Sequence, residues 1–179
     1  VETHKVEKLE DIKVDYKDCS HQISAFLQQL ETVDRYAIYT TSLGENLYNS
    51  WPTFLSFSWK AHEVNYIRLP QDSVEALSII SQFKQIFENP NKTMIGTNLK
   101  DEIIWMKRAG IDLKNQIFDV KIAHYVLHPD ISHELGRIAL EYLNYKLTEQ
   151  KKEEQQLSLF FDQEPIEEQN FAEKTDIIF

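Results

Sequence analysis

The sequence predicts an α/β protein built on a mixed β-sheet. Three observations carry this reading. Three strand-like segments follow one another early in the chain, and strand-like and helix-like segments alternate after them. The early segments lie close enough together for hairpin connections, whereas the later ones are separated by helical crossovers, as parallel strands require. A length of 179 residues suits one domain with a real core, and a 42% hydrophobic and 12% aromatic content is that of a globular chain. We read residues 1–179 as a single domain.

Residues 1–16 are charged, with a short alternation at Ile12, Val14 and Tyr16 that suggests an edge strand. From Cys19 to Leu30, the apolar residues Ile23, Phe26, Leu27 and Leu30 fall at helical spacing. Strands follow at Tyr36–Thr41, Phe54–Trp59 and Glu63–Leu69. In the second, Phe54, Ser56 and Ser58 alternate with Leu55, Phe57 and Trp59, the period-two pattern of a half-buried strand. Pro70 ends the third. Asp72 or Ser73 can cap the next helix, whose inward positions are Val74, Leu77, Ile80, Phe83 and Phe87, with Pro90 as terminator. Thr93–Gly96 is a short buried strand. Asn98 opens a helix through Ala109 that turns Leu99, Ile103 and Met106 inward, with Gly110 as its stop. Ile117–Phe118 is a short apolar piece before a helix over Asp119–Leu127. After Pro129 a last helix runs through Leu135, Ile138, Ala139 and Leu143.

Composition changes at Lys146. Residues 148–168 are mostly Glu, Gln and Lys around an apolar cluster of Leu157, Leu159, Phe160 and Phe161, the pattern of a mobile, solvated segment with one anchor. Residues 170–179 turn apolar again and predict a terminal helix. No run approaches the roughly 20 apolar residues that span a bilayer, and the charged first residues contain no signal-peptide core. The single Cys19 allows no internal disulfide. Together these predict a cytoplasmic protein without membrane partners. Nineteen basic against 29 acidic residues give a net charge of −10, which disfavours binding to a polyanion unless a local basic patch overrides it.

Four segments then share an order and spacing with a known family. YAIYTTSLGENLYNSWPTFLSFSWKAHEVNYIRLP has the layout of the first three strands of a proofreading exonuclease. MIGTNLKDEIIWMKRAGIDL is similar to the family's Gly-x-Asn-Leu-Lys-x-Asp segment and its helix. IFDVKIAHYVLHPDISHELGRIALEYLNYKL resembles its Phe-Asp-Thr stretch, Tyr-Leu-Leu-x-Pro turn and following helix, and FAEKTD falls on its last motif. From about Tyr36 to Phe179 the chain resembles the 3′–5′ exonuclease-like domain of a bacterial family A DNA polymerase (DNA polymerase I, Klenow type). The resemblance implies an RNase H-like (DnaQ-like exonuclease) fold with a mixed central sheet flanked by helices. It also implies a site where four carboxylates hold two divalent metals, hard cations that take oxygen ligands.

The matching positions depart from that chemistry. The family's Asp-x-Glu falls on Tyr39 and Thr41, and its Leu-Lys-x-Asp carboxylate falls on Glu102, with Asp101 beside it. The last motif, a Tyr four residues before an Asp, falls on Phe171 and Thr175. A one-step slip puts Lys174 at the Asp, and the opposite shift recruits Asp176 at the expense of the aromatic. The resemblance therefore implies that no intact catalytic or metal site remains and that no cofactor is needed. Mg²⁺ or Mn²⁺ enters only if Glu102, Asp101 and Asp176 form a rearranged site.

Other residues have bland readings that outweigh functional ones. Asp101–Glu102 also suits a charged first helical turn, and Asp119 suits an N-cap. His124, His128 and His133 do not share one helical face and are interrupted by Pro129, so a structural role outweighs a metal cluster. Trp51, Trp59 and Tyr66 offer stacking surfaces for bases, yet the last two lie in amphipathic strands and suit packing. Lys100, Lys107, Arg108 and Lys114 are the nearest thing to a basic patch, offset by nine acidic and three basic residues in 149–179. The expectation is a non-catalytic domain with weak or no DNA binding of its own, partnered by the polymerase domain of one parent chain. The rivals are a residual metal-dependent proofreading exonuclease and a stand-alone RNase H-like interaction module.

Overall fold

The computed structural model describes residues 14–42, 52–147 and 172–179. Its elements are β1 (Asp15–Asp18), α1 (Ile23–Glu31), β2 (Arg35–Ser42), β3 (Pro52–Lys60), β4 (Glu63–Arg68), α2 (Ser73–Ser81) and α3 (Lys84–Phe87). Then come β5 (Thr93–Gly96), α4 (Lys100–Arg108), β6 (Gln116–Asp119), α5 (Val120–Leu127) and α6 (Leu135–Leu143). A last helix, α7, covers residues 172–178. The strands form one six-stranded sheet in the order β1-β4-β3-β2-β5-β6. β2 runs antiparallel to β3 and parallel to β5, and β1 and β6 are parallel edges. The mixed sheet and the central place of the Tyr36–Thr41 strand are as the sequence predicts.

Alternation along the central strands feeds two layers. Tyr36 and Ile38 of β2, with Leu55 and Phe57 of β3, enter a core closed by α1 to α4, where Phe26, Leu30, Ile80, Phe83 and Met106 are buried. Phe57 and Phe83 stack with ring centroids 5.4 Å apart. On the opposite face Ala37 and Ile95 meet Ile178 of α7, while Val64 and Tyr66 meet Ala172. Because α7 covers this face, β3 is buried on both sides: Ser56 and Ser58 are fully buried, against the half-buried strand its alternation predicts. Ser56 Oγ resolves its polarity by donating to the Tyr39 carbonyl at 2.8 Å.

Two helical expectations are corrected. The stretch from Ser73 to Phe87 is two helices, and Val74, expected to face inward, is 73% exposed. Asp72 caps α2 by accepting from Val74 N and Glu75 N, which orients the first turn with Val74 outward, and Ala76 and Ile80 supply its buried face. Phe83 and Phe87 reach the core only because the helix breaks before α3. Leu143, at the end of α6, is 45% exposed, while Ile138 and Ala139 are buried. The strand over Ile117–Phe118 forms, yet both residues are about half exposed because β6 is an edge. Ile12, Trp51, Phe171 and the segment 148–168 lie outside the described residues.

Lys92 is buried and donates its ammonium hydrogens to the carbonyls of Leu30, Glu31 and Val33, tying the end of α1 to the strand β5 that follows it. Gly96 permits a close approach at the end of β5: a Cβ there would stand 2.2 Å from Leu99 Cδ2. The two-layer packing predicts that Phe57→Ala costs about 3–5 kcal/mol in urea denaturation. Val74→Ala should change stability by less than about 0.5 kcal/mol.

Candidate functional site

The end of β2, the first turn of α4, the loop entering α6 and helix α7 enclose a cleft of about 410 Å³. Its lining includes Tyr39 and Thr40 from β2, Asn98, Asp101, Glu102 and Trp105 around α4, Lys121 of α5, His133 and Glu134 of the loop, and Lys174 of α7. Glu102 is 6% exposed. Its Oε1 accepts from Thr40 Oγ1 at 2.8 Å, and its Oε2 is buried with no hydrogen-bond partner among the described residues. Burial pushes the Glu102 carboxyl up to about 7; Asp101 and Asp119 add to the rise and the Thr40 hydrogen bond opposes it. Trp105 Nε1, on the same helix face, is likewise buried without a hydrogen-bond partner among the described residues. Asp101 stays half-buried and accepts from Asn98 Nδ2 at 3.2 Å. The charged-first-turn reading therefore fits Asp101 and fails for Glu102, which the tertiary structure removes from water.

Tyr39 points into the cleft from the face opposite Ile38. Burial, reinforced by the nearby Glu102 carboxylate, holds its hydroxyl above the usual phenol range. Lys174 Nζ sits over the Tyr39 ring, 5.5 Å from its centroid. Burial lowers the lysine's pKa, with the neighbouring Glu173 carboxylate opposing the shift. The three residues open to the last motif thus separate. Lys174 faces the cleft. Thr175 is fully buried, its hydroxyl hydrogen-bonded to Ser56 Oγ at 2.6 Å. Asp176 turns to the β3–β4 turn, where its carboxylate accepts from the His62 backbone N–H and meets His62 Nδ1 at 3.0 Å. Thr41 is engaged with Thr53, hydroxyl to hydroxyl at 2.9 Å. Tyr39, Asp101, Glu102 and Lys174 come together; Thr41, Thr175 and Asp176 do not join them.

The remaining candidates resolve as packing. Asp119 caps α5 through Lys121 N and Ile122 N, and its other oxygen accepts from Leu99 N ahead of α4. Trp59 packs on Phe26, and Tyr66 is buried against Phe54. His124 is buried with its Nδ1 2.7 Å from His133 Nδ1, because the loop after Pro129 returns over α5. His128 touches the same ring, but no group of three metal-binding side chains forms among the described residues. Lys100, Lys107 and Lys114 are exposed, and the cations that line the cleft are instead Lys121 and Lys174. Sequence reasoning missed Thr40, Lys121 and Trp105. Thr40 had one signal, its place between the two motif positions on a strand with alternating faces.

The 3′–5′ exonuclease domain model of A-type DNA polymerases matches residues 14–170. The chain belongs to this exonuclease family. Among solved structures it is similar to the catalytic core of RRP6 from Trypanosoma brucei (TM-score 0.69, 17% identity, covering 91% of this chain and 43% of that one). It is also similar to Brucella melitensis NrnC (TM-score 0.63, 15% identity, 94% and 77%). A third is the POL domain of Pol1 from M. smegmatis, in complex with DNA primer-template and dNTP (0.63, 15%, 88% and 24%). At these identities the likeness establishes the RNase H-like fold. The chain spans less than half of the RRP6 core and about a quarter of the Pol1 chain. No curated protein sequence matches it significantly.

The two-metal centre that this exonuclease family implies needs several carboxylates converging on one point. The cleft offers one buried carboxyl, one half-buried neighbour already accepting from Asn98, an exposed Glu134 carboxylate 3.5 Å from the Lys121 ammonium, a phenol and a second ammonium, Lys174. That donor set does not fit two divalent ions. Glu102 makes a separate prediction. Its carboxyl binds a proton more tightly folded than at its ordinary 4.5, so its contribution favours the fold at low pH and is lost as pH rises from about 4.5 to about 7. Relative to the parent chain, Glu102→Gln should be near neutral at pH 4 and more stable at pH 8 by roughly 3 kcal/mol at most, measured by urea denaturation at both pH values.

Proposed function

We propose that this chain is a catalytically inactive exonuclease-like domain of a DNA polymerase I. It would serve the parent chain's DNA-directed DNA polymerase, in replication and repair, as a structural element. The observation that carries the reading is the cleft itself: Lys174 lies over Tyr39 in a cleft whose single buried carboxyl is Glu102. Hydrolysis of a phosphodiester by this family's route needs metal-activated water and charge stabilisation on both flanking oxygens. A phenol and an ammonium supply neither.

The surface supports the structural half of the reading. An apolar groove of about 230 Å³ between α5, α6 and α7 is lined by Leu127, Leu135, Ile138, Tyr142 and Ile178, among others. Phe118, Ile122, Val126 and Leu140 expose half or more of their area nearby. Apolar surface on this scale favours a protein partner over a polyanion. A polymerase domain in the same parent chain fits, since this chain corresponds to about a quarter of the Pol1 chain it resembles. No helix among the described residues is long and apolar enough to cross a membrane. The net charge of −10 further weakens any DNA binding by the domain alone.

A residual exonuclease reading has one observation in its favour, the Oε2 of Glu102, without a hydrogen-bond partner among the described residues and next to Asp101. The two readings part in a single assay. With a 3′-labelled single strand in Mg²⁺ or Mn²⁺, the chain should release no labelled nucleotide above a buffer control. Metal-dependent release that Glu102→Ala abolishes would overturn inactivity. The docking half is checked by hydrogen exchange: α5 and α6 amides should be at least tenfold better protected in the parent polymerase than in the isolated chain, and equal protection would count against a packed interface.

A further inference from the structure

Helix α7 contributes one side chain to the cleft, and it carries a positive charge. Ala172 and Ile178 are buried against the sheet on either side of Lys174, and Thr175 is locked to Ser56, so the helix has no freedom to turn the lysine outward. Its ammonium rests on the Tyr39 ring, a contact that fixes its position through the ring's negative face. Glu102 and Asp101 line the same cleft from α4. Glu134 also lines it but is paired with Lys121 at 3.5 Å, which leaves Glu102 and Asp101 to draw a cation in. An ammonium held in a partly desolvated cleft opposes a second cation through Coulomb repulsion that water screens poorly, and more strongly for a divalent ion.

We propose that Lys174 is a tethered cation that occupies the charge position of a divalent metal and keeps such metals out of the cleft formed by Tyr39, Asp101 and Glu102. This goes beyond the loss of ligands. A site that has lost carboxylates is weak, whereas a site with its own fixed cation resists metal even when carboxylates are returned. The inference rests on the reading of the cleft as one without a working metal centre. It also selects the position at which a carboxylate must be returned: residue 174 faces the cleft, whereas an Asp at residue 175 would be buried against Ser56 with the ammonium still in place.

The test is Mn²⁺ titration calorimetry at pH 8 on the 179-residue chain. Tyr39→Asp is compared with Tyr39→Asp/Lys174→Met and Tyr39→Asp/Lys174→Asp. Removing the ammonium should tighten Mn²⁺ binding at least tenfold, and placing a carboxylate at 174 should tighten it further. Equal affinity with and without Lys174 would overturn the proposal. Where thermal melts reveal that Tyr39→Asp unfolds the sheet, the single exchange Lys174→Asp carries the same test: at least tenfold tighter binding than the unmodified chain supports the tethered cation, and no change overturns it. Failure of the parent reading is distinguishable. An unmodified chain that binds Mn²⁺ and releases nucleotide sinks the inactive-domain reading, whereas an unmodified chain that is silent and stays silent without Lys174 sinks the tethered cation alone.

Discussion

Strand β2 is hydrogen-bonded along both edges, antiparallel to β3 and parallel to β5, so its side chains have only two places to go. Tyr36 and Ile38 fill the layer under α1 to α4, and Ala37 and Tyr39 fill the layer under α7. A one-residue slip would exchange these two sets and put a tyrosine where the second layer accepts an alanine. That register decides what reaches the cleft. Tyr39 arrives from one face of the strand, and Thr40 reaches Glu102 from the other. Even the polar groups obey it: Tyr36, fully buried, donates its hydroxyl to Asn115 Oδ1 at 2.6 Å, and Asn115 in turn donates to the carbonyls of Ile86 and Asn89.

The second layer is thin, and α7 supplies much of it. Its apolar residues Ala172 and Ile178 cover the sheet, so the polar residues between them must each find a separate solution. Thr175 pairs with Ser56, Asp176 with His62, Glu173 accepts from the Tyr145 hydroxyl at 2.6 Å, and Lys174 lies on Tyr39. A helix anchored at so many points has one rotation available. The chemistry of the cleft follows from that rotation, which turns an ammonium and no carboxylate of α7 into the cleft that Glu102 also lines.

Burial works against the charge of both Glu102 and Lys174 in the cleft. A buried carboxyl with one oxygen held by Thr40 and the other without a partner among the described residues costs stability whenever it ionises. Raised carboxyl pKa values gather at functional sites, but structural networks produce them as well. In this cleft the raised value has a simple origin, since α4 carries Glu102 and Trp105 on the same inward face as Met106. The apolar surface over α5 and α6 lies apart from this, on the side of the molecule where β6 leaves the sheet edge open.

Much of the fold was legible because it depends on local patterns. Period-two alternation marked β3, with β2 and β4 read as strand-like segments on either side of it, Asp72 and Asp119 announced their helix starts, and linked motifs pointed to the exonuclease family. The lack of charge at Tyr39 and Thr41 was also visible, since residue identity alone decides it. What the sequence could not decide was anything set by a second layer of packing. Ser56 and Ser58 read as a solvent face until α7 covered them, and Glu102 read as a charged first turn until Thr40 and the sheet enclosed it. The choice among Lys174, Thr175 and Asp176 was open for the same reason. Neighbouring residues on a helix point about 100° apart, and only the docking of α7 on β2 and β3 determines which of the three faces the cleft.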